Sequence, residues 1–204
     1  QPRMGRSHVS PLVRCLASHD RRGHEVSLYH DELCLAMNLL ADDERTIFLG
    51  QGVLCGGTSM ASTFNGIPTE KRIEMPVAEE MQTGMAIGMS LRGIIPISVY
   101  PRWNFMLRAA DSIVNHLDRL SLYSEYRPKV IIRTAVPSKS PFNPGPQHDD
   151  DFTQAFRSML RTTDVVCLQS EADIVPQYTK ALHSPRSTIL VEYTSQYSNA
   201  RGNR

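Results

Sequence analysis

Apolar and polar positions along the chain follow two periods, helical and strand-like, that take turns. In SLYHDELCLAMNLLADDE (27–44), Leu28, Leu33, Met37 and Leu40 recur at helical spacing and predict a helix. TIFLG (46–50), a short apolar run closed by Gly50, predicts a strand at the edge or centre of a sheet. RIEM (72–75) predicts the next strand, and VAEEMQTGMAIGMSLRG (77–93) a helix that stops at Gly93, with Pro76 placed where helices start. IIPISVY (94–100) reads as a strand, NFMLRAADSIVNHLDRL (104–120) as an amphipathic helix, and KVIIRTA (129–135) as another strand. FTQAFRSML (152–160) and ADIVPQYTKALH (172–183) predict helices, with strands at DVVCLQ (164–169) and STILVEY (187–193).

Two stretches break the pattern. Residues 51–70 are rich in Gly, Ser and Thr and read as a loop, with room for a short helix near Ser59–Phe64. PSKSPFNPGPQHDDD (137–151) is a loop dense in proline and polar residues. Helix–strand alternation of this kind implies an α/β fold, a mainly parallel sheet with helices on both faces. Ligands of such folds sit beyond the carboxyl ends of the strands. The informative loops are therefore those after TIFLG, RIEM, SVY and IIRTA.

Composition narrows the reading. At 204 residues, 41% hydrophobic and 21% charged, the chain suits one ordinary globular domain. A net charge of +1 gives no reason to expect nucleic acid or a charged membrane surface as partner, and no apolar run is long enough to span a bilayer. Cys15, Cys34, Cys55 and Cys167 are widely spaced. Cys34 and Cys167 lie in apolar periodic segments, as buried thiols in a reducing compartment do. Residues 1–26 carry five arginines and no acid before Asp20. Either an organelle-targeting peptide or a flexible, non-native arm has this look, so cytoplasm and organelle matrix both stand. The domain is expected over 27–194, with 195–204 as a frayed tail.

Phosphate-loop motifs are missing, and GQGVLCGG lacks the GxGxxG spacing. That speaks against a flavodoxin-like binding module. Four stretches, IFLGQGVLCGG, RIEMPVAEEMQTGMAIGMSLRGIIPI, YPRWNFMLRAADSIVN and GPQHDDDFTQAFRSML, together cover most of residues 28–193. In order and spacing they resemble the pyrimidine-binding domain of the transketolase superfamily of thiamine diphosphate enzymes. The nearest likeness is to the β subunit of 2-oxoacid dehydrogenase decarboxylating components.

That resemblance implies a thiamine diphosphate-binding fold of pyrimidine-binding type, and roles for particular residues. Glu79, five positions before Gly84 of the GxAxG-like run, would touch the ring nitrogen of the cofactor's aminopyrimidine and stabilise the imino tautomer that deprotonates the thiazolium carbon. Read as residues alone, Glu79 and Glu80 are ordinary acids in a helix's first turn. Phe105 would pack on the pyrimidine ring; as a bare residue it is equally a core aromatic. His148 would stand near the substrate carbonyl, where a pKa near neutrality is useful; otherwise it is a surface histidine beside Asp149, Asp150 and Asp151. Three consecutive aspartates rarely converge on one ion, so they read as a solvated helix start with Asp151 as N-cap. Tyr100 and Gln51 would line the cofactor crevice, with Trp103 beside them. Gln51 stands where the family carries an acid, a departure that bears on substrate choice.

No GDG metal motif occurs in the sequence. The resemblance therefore implies a one-domain subunit, inactive alone, that joins a separate GDG-bearing chain in a heterodimer or heterotetramer. That partner would hold Mg2+ and the diphosphate. The substrate would be a small 2-oxo acid or a ketose. The competing expectation is a non-catalytic assembly or regulatory subunit that keeps only the fold.

Overall fold

The structure, a computed structural model, describes residues 28–139 and 143–197. The expectations for residues 1–26 and for Cys15 lie outside these residues, as does the end of the tail. Six strands form one sheet: β1 (Thr46–Gly50), β2 (Arg72–Glu74), β3 (Ile95–Val99), β4 (Ile131–Val136), β5 (Asp164–Cys167) and β6 (Thr188–Tyr193). Their order is β2-β1-β3-β4-β6-β5, and every pairing is parallel. The TIFLG strand is therefore interior. Parallel strands need covered crossovers, and helices lie on both faces.

One face carries α1 (Leu28–Asp42) and α6 (Glu171–His183). Leu33, Met37 and Leu40 pack there with Ile174, Tyr178 and Ala181 over Phe48, Ile97 and Ile131. The other face carries α2 (Glu79–Ser90), α3 (Trp103–Met106) with the turns that continue it, and α5 (Thr153–Met159). Trp103, Met106, Ala109, Ile113 and Phe156 fill that core against Leu49, Ile132 and Ile189. Among the described residues no helix is long and apolar enough to cross a membrane.

The first face also buries charge. Arg133 on β4 and Glu192 on β6 are both 0% exposed. Arg133 donates to Glu192 through Nε and Nη2 and to Thr63 Oγ1 through Nη1 (2.8 Å), with its guanidinium over the Phe64 ring. Tyr178 and Tyr197 donate their hydroxyls to the two Glu192 oxygens. Burial first, then the Glu192 charge, pushes both tyrosines well above the ordinary phenol value, so they remain donors. Tyr197, in the segment expected as a tail, is tied to β6 by its bond to Glu192.

The helix predicted over 104–120 is not continuous. After α3 the chain tightens into a 3-10 turn at Leu107–Ala109 and then widens into a π-helix at Ser112–Leu117 before the short α4 (Leu120–Tyr123). Asp118 supplies the reason. It is fully buried, and its carboxylate accepts the N–H groups of Arg161, Thr162 and Thr163 at 2.8–3.1 Å. Apolar periodicity cannot reveal a polar anchor 43 residues distant. Likewise α2 begins at Glu79 rather than Val77, because Ala78 is non-helical (φ −152°, ψ 67°) and accepts the Gln82 N–H (2.9 Å) as the residue that caps the helix.

Candidate active site

The loops after β1 to β4 converge beyond the carboxyl ends of the strands. Gly50 ends β1 with φ +152°, and a Cβ there would lie 2.3 Å from the Val99 carbonyl oxygen, so only glycine lets β1 and β3 close together. The chain then turns through Gln51, and Glu74 pins the loop. Its carboxylate accepts the N–H groups of Gly52 (2.6 Å), Leu54 (2.7 Å) and Cys55 (3.1 Å). Burial opposes its charge, but these bonds prevail and hold the carboxyl below its usual value.

Glu79 is the first residue of α2 and is 2% exposed, whereas Glu80 is exposed. Gln51 donates through Nε2 to Glu79 Oε1 at 3.3 Å. Arg108 Nε stands 3.4 Å from Oε2 while 73% of the arginine side chain faces solvent. Among the described residues, Oε2 finds no hydrogen-bond partner.

Three buried side chains fix this turn of α2. Gln82 donates to Ser98 Oγ and the Val99 carbonyl, both at 3.0 Å. Thr83 donates to the Glu79 carbonyl (2.9 Å) and shares a 2.6 Å hydrogen bond with the Tyr100 hydroxyl. Burial, with a smaller push from Glu79, raises the Tyr100 hydroxyl above its ordinary value. Tyr100, expected to line the crevice, lies beneath it at 1% exposure. Trp103 is also interior, its ring 5.0 Å from that of Phe156.

Phe105 is half-buried on α3, and the His148 ring packs against it with centroids 5.6 Å apart and planes at 56°. Nδ1 of His148 is buried and without a partner among the described residues. The Arg102 guanidinium lies over the Phe105 ring, 6.0 Å from its centroid. Asp151 accepts the Thr153 N–H (2.9 Å) at the start of α5, and Asp149 pairs with Lys139 (3.0 Å). Among the described residues no group of three or more His, Cys, Asp or Glu is arranged to hold a metal ion.

Glu79 and Gln51 thus meet, as do Phe105 and His148, and Arg108, three residues after Phe105, reaches Glu79. Sequence reasoning missed Arg108, Gln82 and Thr83. The signal was available: they stand three or four positions from Phe105 or Glu79 and share a helix face with it. A cavity of about 260 Å³ bordered by Asp164, Gln177, Lys180 and Ser184 lies at the opposite, amino end of the strands and contains none of these residues.

No family model matches the chain. It is 23% identical over 164 residues to the 3-methyl-2-oxobutanoate dehydrogenase subunit beta of Mycobacterium tuberculosis, covering 78% of this chain and 46% of that protein. Against the mitochondrial pyruvate dehydrogenase E1 component subunit beta of Caenorhabditis elegans it is 24% identical over 193 residues, 93% of this chain and 54% of the relative. The Saccharomyces cerevisiae counterpart is 26% identical over 132 residues, 64% and 36% of the two chains. The chain thus spans about half the length, or less, of these curated relatives. A solved transketolase from Campylobacter jejuni superposes with a TM-score of 0.67 at 14% identity, covering 92% of this chain and 30% of its own. A split-gene transketolase solved as an inactive beta4 tetramer gives 0.64 at 17% identity, covering 87% and 53%. By its all-parallel sheet and these likenesses, the chain has the fold of a transketolase-like pyrimidine-binding domain and is similar in sequence to the β subunits of 2-oxoacid dehydrogenases.

Proposed function

We propose that the chain is the pyrimidine-binding subunit of a heteromeric thiamine diphosphate-dependent enzyme acting next to a carbonyl, by 2-oxo acid decarboxylation or dehydrogenation or by ketol or acyl transfer. The observation that carries this reading is Glu79: a buried carboxylate beyond the strand ends, with one oxygen short of a hydrogen bond. Buried polar atoms in folded proteins are nearly always satisfied, so an open one in a crevice marks a place for a missing partner. An aminopyrimidine ring nitrogen fits that vacancy, and Phe105 offers an aromatic face beside it.

When bound, thiamine diphosphate supplies a thiazolium carbon acidic enough to become a nucleophile toward a carbonyl carbon. Glu79 would hold or share the proton at the pyrimidine ring nitrogen. Gln51, donating to Oε1, orients that carboxylate, and Tyr100 acts one step back by fixing Thr83 and the first turn of α2. Phe105 packs on the ring, a contact of about 0.5–1.5 kcal/mol beyond burial. His148, whose Nδ1 has no partner among the described residues, would hold or move a proton near a substrate carbonyl.

A GDG-bearing chain would supply Mg2+ and the diphosphate site. The rim around Glu79 suits a partner surface: Val77 is 77% exposed, Met81 48% and Leu107 40%. Calorimetric titration with thiamine diphosphate and Mg2+ tests the reading. Tight binding is expected with the diphosphate-binding chain present and negligible binding without it. Tight binding by this chain alone contradicts the divided site, and no binding in either case contradicts the cofactor.

A further inference from the structure

The two groups facing the Glu79 oxygens differ in kind. Gln51 belongs to a loop pinned by Glu74, and its amide reaches Oε1 from a half-buried position. Arg108 comes from the 3-10 turn after α3, next to exposed Leu107, and reaches Oε2 with one nitrogen while most of its side chain stands in water. The Tyr100 hydroxyl, tied to Thr83, is raised by burial and then by the Glu79 charge. Arg108 therefore stands on the solvent side of the oxygen that takes no hydrogen bond, and its stem has open water to move into. With its arginine end in solvent and its contact long at 3.4 Å, the pair is worth a factor of roughly two to five in an equilibrium constant, enough to hold a side chain and little enough to give way.

We propose that Arg108 is a positioning residue that gates Glu79: it holds the carboxylate in the ligand-free chain and swings aside to admit an aminopyrimidine ring. The proposal rests on the cofactor reading above. It assigns Arg108 a task that Arg102 does not share, because Arg102 sits over Phe105 rather than on Glu79.

The test follows thiamine diphosphate and Mg2+ binding to the complex with the diphosphate-binding chain by stopped flow, for wild type, Arg108→Gln, Arg108→Met, Arg108→Lys and Arg102→Gln. Arg108→Gln and Arg108→Met should associate about two- to fivefold faster. Arg108→Lys, which keeps the charge, should stay near wild type, and Arg102→Gln, which removes a charge without opening the gate, should not accelerate. Nitrogen-15 relaxation of the Arg108 Nε–H gives a second readout: ordered in the ligand-free chain, mobile in Glu79→Ala and after cofactor is added to the complex. If the wild-type complex binds but the Arg108 variants are unchanged or slower, the gate is wrong and the cofactor reading stands. If the wild-type complex does not bind, both fall.

Discussion

Glu192 on β6 and Glu79 at the head of α2 are 0% and 2% exposed, yet one is enclosed by donors and the other is left open. Glu192 takes two donors from Arg133 and one hydroxyl each from Tyr178 and Tyr197, so both oxygens are engaged. Glu79 takes one long bond from Gln51 and a loose ion pair from Arg108. Burying a carboxylate is costly unless it is paired and hydrogen-bonded. In the proposed reading, a chain that completes this around Glu192 and leaves it incomplete around Glu79 separates a structural charge from one kept for a ligand.

The contrast can be broken by removing each acid. Glu192→Ala should cost about 3–5 kcal/mol in urea unfolding, because Arg133 is left buried and unpaired. Replacing both members with apolar residues, as in Arg133→Met with Glu192→Leu, should restore only part of that loss, because the Tyr178 and Tyr197 hydroxyls lose their acceptor. Asp118 sharpens the same side of the comparison. Its carboxylate takes three backbone N–H groups, and Asp118→Ala should cost about 2–3 kcal/mol by stranding them. Burial opposes its charge, but the bonds from Thr162, Arg161 and Thr163 outweigh burial and lower its pKa. A carboxyl lowered on folding contributes stability above its unfolded value of about 3.9, and that stability is lost as pH falls toward and through the folded value. Acid unfolding of Asp118→Asn should therefore be less steep than that of wild type in this range. Smallest of all should be Glu79→Gln, within about 1 kcal/mol of wild type, since few bonds are lost and a buried charge is removed.

How much of this was legible follows from where the information lies. Helical and strand periods along Leu33–Met37–Leu40 and through IIPISV foretold the layers, since burial on one side of an element is local. That Gln51 meets Glu79 and Phe105 meets His148 follows from strand ends that share one edge of a parallel sheet. The adjacent acids were told apart by spacing to Gly84, and burial then separates them, Glu79 inside and Glu80 out. What stayed hidden was polar and distant. The reach of Asp118 to Thr162 and the Arg133–Glu192 pair join residues with no shared period. Tyr100 was expected at the crevice because it follows β3, but an aromatic at a strand end can turn inward, and its hydroxyl finds Thr83 there.

The central claim is that Glu79 is the open carboxylate that activates the cofactor. It is tested most directly by hydrogen–deuterium exchange at the thiazolium carbon of thiamine diphosphate bound to the complex with the diphosphate-binding chain. Glu79→Gln keeps the shape and removes the shared proton, and exchange should slow by roughly 10²–10⁴-fold, the usual contribution of a general acid–base group. Glu80→Gln, altered at an exposed neighbour on the same turn, should exchange at the wild-type rate. Exchange in Glu79→Gln as fast as in wild type, with cofactor bound, would contradict the account and favour a subunit that keeps the fold without the chemistry.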